Sequence, residues 1–147
     1  MAVQQIILII INILGGIAVI GVRSLWNGEE EWQLAVKKVI QKHLGAERRA
    51  GKGTFKESVE PLENVISRSP FSVIESREVK IIQTWNVESI IGYLFSTSFA
   101  SPRYFGNQIN DFRKDIRETL LSFNPTGVFN ETTNFSLILA SRPKREN

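Results

Sequence analysis

The chain has 147 residues, 42% of them hydrophobic and 22% charged, a balance that suits one soluble globular domain and argues against disorder outside the last few residues. Its 18 basic and 15 acidic side chains leave a formal net charge of +3, too small and too scattered for a nucleic-acid footprint. There is no cysteine, which excludes disulfides and thiolate chemistry and fits the cytosol better than a small secreted scaffold, and no acidic cluster accompanies the single histidine, so no metal site is expected.

The first charged side chain is Arg23, and residues 6–11 are six consecutive aliphatic ones. The uncharged opening is close to the roughly 20 residues a membrane helix needs. Gln4, Gln5, Asn12, Gly15 and Gly16 interrupt it, however, and β-branched residues dominate, so a membrane anchor through residues 1–22 is the alternative rather than the main reading. Residues 6–13 read as a strand or poorly matched helix, and residues 17–22 as a fully buried strand after the glycine pair. Residues 21–28 read as a loop. A helix follows from about Glu29, with glutamates at its start, Lys37, Lys38, Lys42 and His43 toward its end, and an inward stripe of Trp32, Val36, Val39 or Ile40, and Leu44.

Residues 46–56 form a basic, glycine-containing surface connection with Arg48, Arg49, Lys52 and Lys56. No GK[ST] sequence makes its glycines a phosphate loop. Pro61 opens a short helix reaching about Ser67, with Leu62, Val65 and Ile66 facing in. Residues 71–82 read as extended chain with a bend near Glu78. Asn86 and Glu88 signal the start of one helix, and Ser101-Pro102 the start of another, whose Ile109, Phe112, Ile116, Leu120 and Phe123 recur three or four apart. A turn at residues 124–127 precedes a final strand over residues 134–140, apolar on both faces and therefore expected inside a sheet. The polar tail from Arg142 is expected to fray.

Taken together, Gly15-Gly16 before a strand, Trp26 in the next loop, Ser69-Pro70-Phe71, Trp85 leading into residues 91–98, and the closing stretch 127–140 resemble the C-terminal portion of class I S-adenosylmethionine-dependent methyltransferases, in the type 11 or trans-aconitate-methyltransferase-like branch. The resemblance runs from about Leu14 to Arg142. It implies an α/β fold: a partial, doubly wound Rossmann-like sheet of the last three strands, the final one antiparallel, in a single domain over residues 1–147. A helical insertion, residues 85–123, would lie between the last two strands as a lid over the substrate pocket. Full relatives would transfer a methyl group from S-adenosylmethionine to a small-molecule acceptor.

The cofactor in such a sheet needs a glycine-rich turn after the first strand and an acidic residue for the ribose. Gly15 and Gly16 precede a strand, and the only aspartates, Asp111 and Asp115, lie within a helix. No cofactor-binding residue is therefore assigned, and the isolated chain is expected to bind no S-adenosylmethionine. It is read as a truncated product or separate piece, with a complementing N-terminal half or a homo-oligomer as partner. A non-enzymatic interaction protein with an open strand edge is the second reading.

The substrate-pocket candidates are Trp26, Trp85 and Tyr93, aromatic rings with polar handles, together with Ser96, Thr97 and Ser98 at a helix end, and Arg103 for an acidic substrate. No catalytic residue is assigned. A serine relay would require His43 to meet Asp111 or Asp115 and a serine, and residues 29–31 read as a solvated helix start, not an acid–base pair.

Overall fold

The computed structural model describes residues 6–12, 15–56 and 58–143, with side chains from residue 15 onward. It is a mixed α/β fold. A four-stranded sheet has the order β1 (Ile6–Asn12), β2 (Gly16–Val22), β6 (Val128–Ser141), β5 (Val73–Asn86). The helices are α1 (Glu31–Leu44), α2 (Leu62–Ser67), α3 (Val87–Ser96) and α4 (Ile109–Phe123). A small hairpin, β3 (Arg49–Ala50) with β4 (Gly53–Thr54), stands where an unstructured connection was expected.

β1 pairs antiparallel with β2, which settles the strand-or-helix alternative for residues 6–12. Residues 1–5 and 13–14, and most of the expected frayed tail, lie outside the described residues. β2 in turn pairs antiparallel with β6, setting Val19 opposite Ile138 and Ile17 opposite Ala140. Contacts between β5 and β6 join Glu78 to Asn134 and Thr84 to Asn130, rising along one strand while falling along the other, as antiparallel neighbours do. β6 therefore runs against both neighbours, and β2 and β5 run the same way. Its interior place agrees with its apolar pattern.

The chain forms two compact units. The first takes Met1–Ser24, Glu57–Ile81 and Thr132–Asn147; the second takes Leu25–Lys56 and Ile82–Glu131. The first has a small core of Val19, Ile66, Ile138 and Ala140, edged by Ile17, Leu62, Phe71 and Ile74. Residues 17–22 are not a fully buried strand: only Val19 and Gly21 are buried there, the rest half-buried. Nor does Val65 face in, being 44% exposed, because six residues make too short a helix to bury more than one narrow stripe.

The second unit holds the larger core, with Val36, Ile40, Ile90, Leu94, Phe99, Phe112, Ile116 and Leu120 almost fully buried and all three tryptophans, Trp26, Trp32 and Trp85, in it. The stripe expected on α1 is buried as read. α3 starts as expected: the Asn86 side chain accepts from Ser89 N–H at 2.8 Å and the Ser89 hydroxyl accepts from Asn86 N–H at 2.8 Å. Ser101-Pro102 does not begin α4. It opens a single 3-10 turn, Pro102–Tyr104, and the chain passes Gly106 at φ +52 before α4 begins at Ile109. Left-handed backbone at Gly106 cannot continue a right-handed helix, so the proline's start signal is cut short. Phe123 ends α4 46% exposed, outside the stripe.

Candidate functional site

The feature of the second unit that sequence reading missed is a buried carboxylate. On β6 the residues facing inward are Phe129, Glu131 and Thr133, and Glu131 is 8% exposed. Its Oε1 accepts from Gln33 Nε2 on α1 at 2.7 Å, and its Oε2 accepts from Trp85 Nε1 at the end of β5 at 2.7 Å. The amide of Gln33 is oriented from its other side, since its Oε1 accepts from Glu30 N–H at 3.0 Å in the capping box of α1. Gly28 leaves room for this, because a Cβ there would stand 2.3 Å from Gln33 Oε1. Two donors with fixed directions meet the desolvation cost of a buried carboxylate.

Of the candidates, Trp85 and Tyr93 are brought together, edge to face at 5.4 Å. Burial pushes the Tyr93 phenol up from its ordinary range; a backbone hydrogen bond with Leu25 acts the other way, the Glu131 charge adds to the rise, and Arg48 offsets part of it. Trp26, buried in the 3-10 turn Leu25–Asn27, meets Phe99 edge to face at 5.5 Å, with Lys37 Nζ 5.2 Å from its ring centre.

The hydroxyls are placed differently. Ser96 Oγ donates to the Tyr93 carbonyl at 2.7 Å, and Thr97 Oγ1 donates to the Leu94 carbonyl at 2.7 Å while accepting from Ala100 N–H at 3.2 Å. Both finish the last turn of α3. Ser98 is exposed. Arg103 joins another group: its guanidinium lies 5.0 Å from the Tyr104 ring centre, and Arg49 lies 5.3 Å from the same centre. The Tyr104 hydroxyl accepts from Arg103 at 3.0 Å and donates to the Gly51 carbonyl at 2.8 Å, tying the β3–β4 hairpin to this turn.

His43 does meet Asp115, Nε2 to Oδ2 at 2.9 Å, and Lys42 Nζ donates to the same oxygen at 2.7 Å. The hydrogen bonds from Lys42 and then His43 hold the Asp115 carboxyl below its usual range, and Asp115 in turn raises Lys42. The imidazole otherwise faces the rings of Phe105 and Phe112, and among the described residues no hydrogen bond joins it to the serine a relay would need. Among the described residues no group of three His, Cys, Asp or Glu could hold a metal, and no helix is long and apolar enough to cross a membrane.

The only signal for Glu131 in the sequence was positional: a lone carboxylate at the same parity as Phe129 and Thr133. No protein-family model matches the chain, and no curated protein matches it.

Proposed function

We propose that these residues form the C-terminal, acceptor-side part of an S-adenosylmethionine-dependent methyltransferase acting on a small molecule, and that the 147-residue chain alone does not bind the cofactor. The supporting observation is topological. The last strand, β6, runs against two neighbours that run the same way, and the helical pair α3 and α4 is inserted between β5 and β6. Trp85 at the end of β5 and Tyr93 on α3, with Glu131 holding the indole, form the wall that would face an acceptor.

The residues present do not fit the cofactor itself. Gly15, at φ +88, precedes β2 and lies against the Arg142 side chain. Asp111 and Asp115 sit on α4, and Asp115 already binds Lys42 and His43. No methyl-transfer step is therefore assigned to these residues, and the glycine-rich unit of the proposed enzyme would lie outside them.

Isothermal calorimetry of the purified chain with S-adenosylmethionine should give no binding heat, and micromolar binding would overturn the second half of the proposal. The coding DNA upstream tests the first half: a frame for a glycine-rich strand-turn-helix unit is expected, and unrelated sequence would count against methyltransferase ancestry.

A further inference from the structure

β5 is an edge strand with an unusual surface. It forms one end of the sheet order, and of its bulky apolar residues Val73 and Val79 are each 52% exposed and Ile82 is 74% exposed. The charges along it alternate in sign: Glu75, Arg77, Glu78, Lys80. An unpaired edge of this length is a template for another strand, and charges are the usual means of restricting what can pair with it. Here they favour one arrangement.

Facing residues of an antiparallel pair lie on the same side of the sheet, so a strand pairing with its own copy about a two-fold axis sets only residues of equal parity opposite one another. An axis at Glu75, Arg77, Glu78 or Lys80 would place that charge against itself. Only axes at Ser76 and Val79 set opposite charges against one another. An axis at Ser76 sets Glu75 opposite Arg77, but those two already form an ion pair within the strand, and β5 starts at Val73, so this pairing stops at Val79.

An axis at Val79 sets Glu78 opposite Lys80 twice, by symmetry. Neither makes an ion pair among the described residues; Glu78 accepts only a long bond, 3.4 Å, from Asn134. It also sets Val79 against Val79, Arg77 against Ile81 and Ser76 against Ile82, covering the exposed apolar side chains. Val79 lies near the strand's midpoint, so pairing extends from Val73 to Trp85. We infer that β5 is a homodimer interface, pairing antiparallel with β5 of a second copy about an axis at Val79. This stands whether or not the methyltransferase reading does.

The natural chain has no cysteine, so single cysteines report the register directly. Directly opposed Cα atoms lie about 4.5–5.5 Å apart, within the span a disulfide bridges. The intact chain should sediment as a dimer that dissociates on dilution. Under mild oxidation Val79→Cys should form a covalent dimer and Ser76→Cys should not. Glu78→Lys, an exposed change that leaves the fold intact, should weaken the dimer by roughly tenfold, and the double variant Glu78→Lys/Lys80→Glu should restore it. A chain that is monomeric at every concentration, one that forms open-ended polymers, cross-linking at Ser76 in place of Val79, or no restoration by the double variant would each overturn the inference.

Discussion

Glu131 differs from the other acidic residues in what surrounds it. Glu60 binds Arg68 and Glu88 binds Arg117 at the surface, where ion pairs contribute little. Glu131 accepts instead from two neutral donors inside the second unit. Glu131→Gln keeps the shape but turns one acceptor into a donor, so either Gln33 or Trp85 then faces a donor. Gln33 cannot rotate its amide to compensate without losing Glu30 N–H. The variant should be destabilised by about 1–3 kcal/mol, read as a lower urea midpoint, and a value within error of the parent would show the carboxylate to be dispensable. This position was hard to read from sequence because burial on β6 changes parity: Phe129, Glu131 and Thr133 are buried in its first half, Ile138 and Ala140 in its second. Alternation counted back from the apolar end therefore carries no information about residue 131.

Among the elements, local chemistry predicted starts better than lengths. The Asn86–Ser89 capping box makes α3 begin where its sequence says, and Asn86→Ala should cost about 0.5–2 kcal/mol, measured by thermal unfolding, with Asn86→Asp much milder because a carboxylate still caps and favours the helix dipole. Equal losses for both variants would contradict this assignment. The stripe on α1 was legible for a similar reason: Trp32, Val36, Val39, Ile40 and Leu44 are spaced for one face. The start of α4 was not, since the proline signal at Pro102 is local while the interruption at Gly106 depends on a backbone conformation that no spacing reveals. β5 ran four residues past its expected end, to Asn86, because its partner β6 is equally long and pairing overrides the weak strand preference of Gln83 and Asn86. Of the pocket candidates, the aromatic pair Trp85 and Tyr93 came together, whereas Ser96 and Thr97 were drawn into ending α3, the usual use of hydroxyls at that place.

For the whole molecule, the sequence conveyed a mixed α/β composition and an interior last strand, but not the division of the chain into two compact units, because each is assembled from segments distant in sequence. Their cores also differ in size, a few aliphatic residues in the first against a cluster rich in aromatics in the second. Trp26, Trp32 and Trp85, and both tyrosines, Tyr93 and Tyr104, belong to the second unit. Intrinsic fluorescence of this protein is thus an optical record of one unit only, while far-ultraviolet circular dichroism receives signal from the backbone of both. If the smaller core yields first, a denaturation curve followed by ellipticity should begin to fall before the emission maximum moves, and coincident curves would mean that the two units unfold as one. A tryptophan placed at Phe71, beside the small core, would give the silent unit an emission of its own.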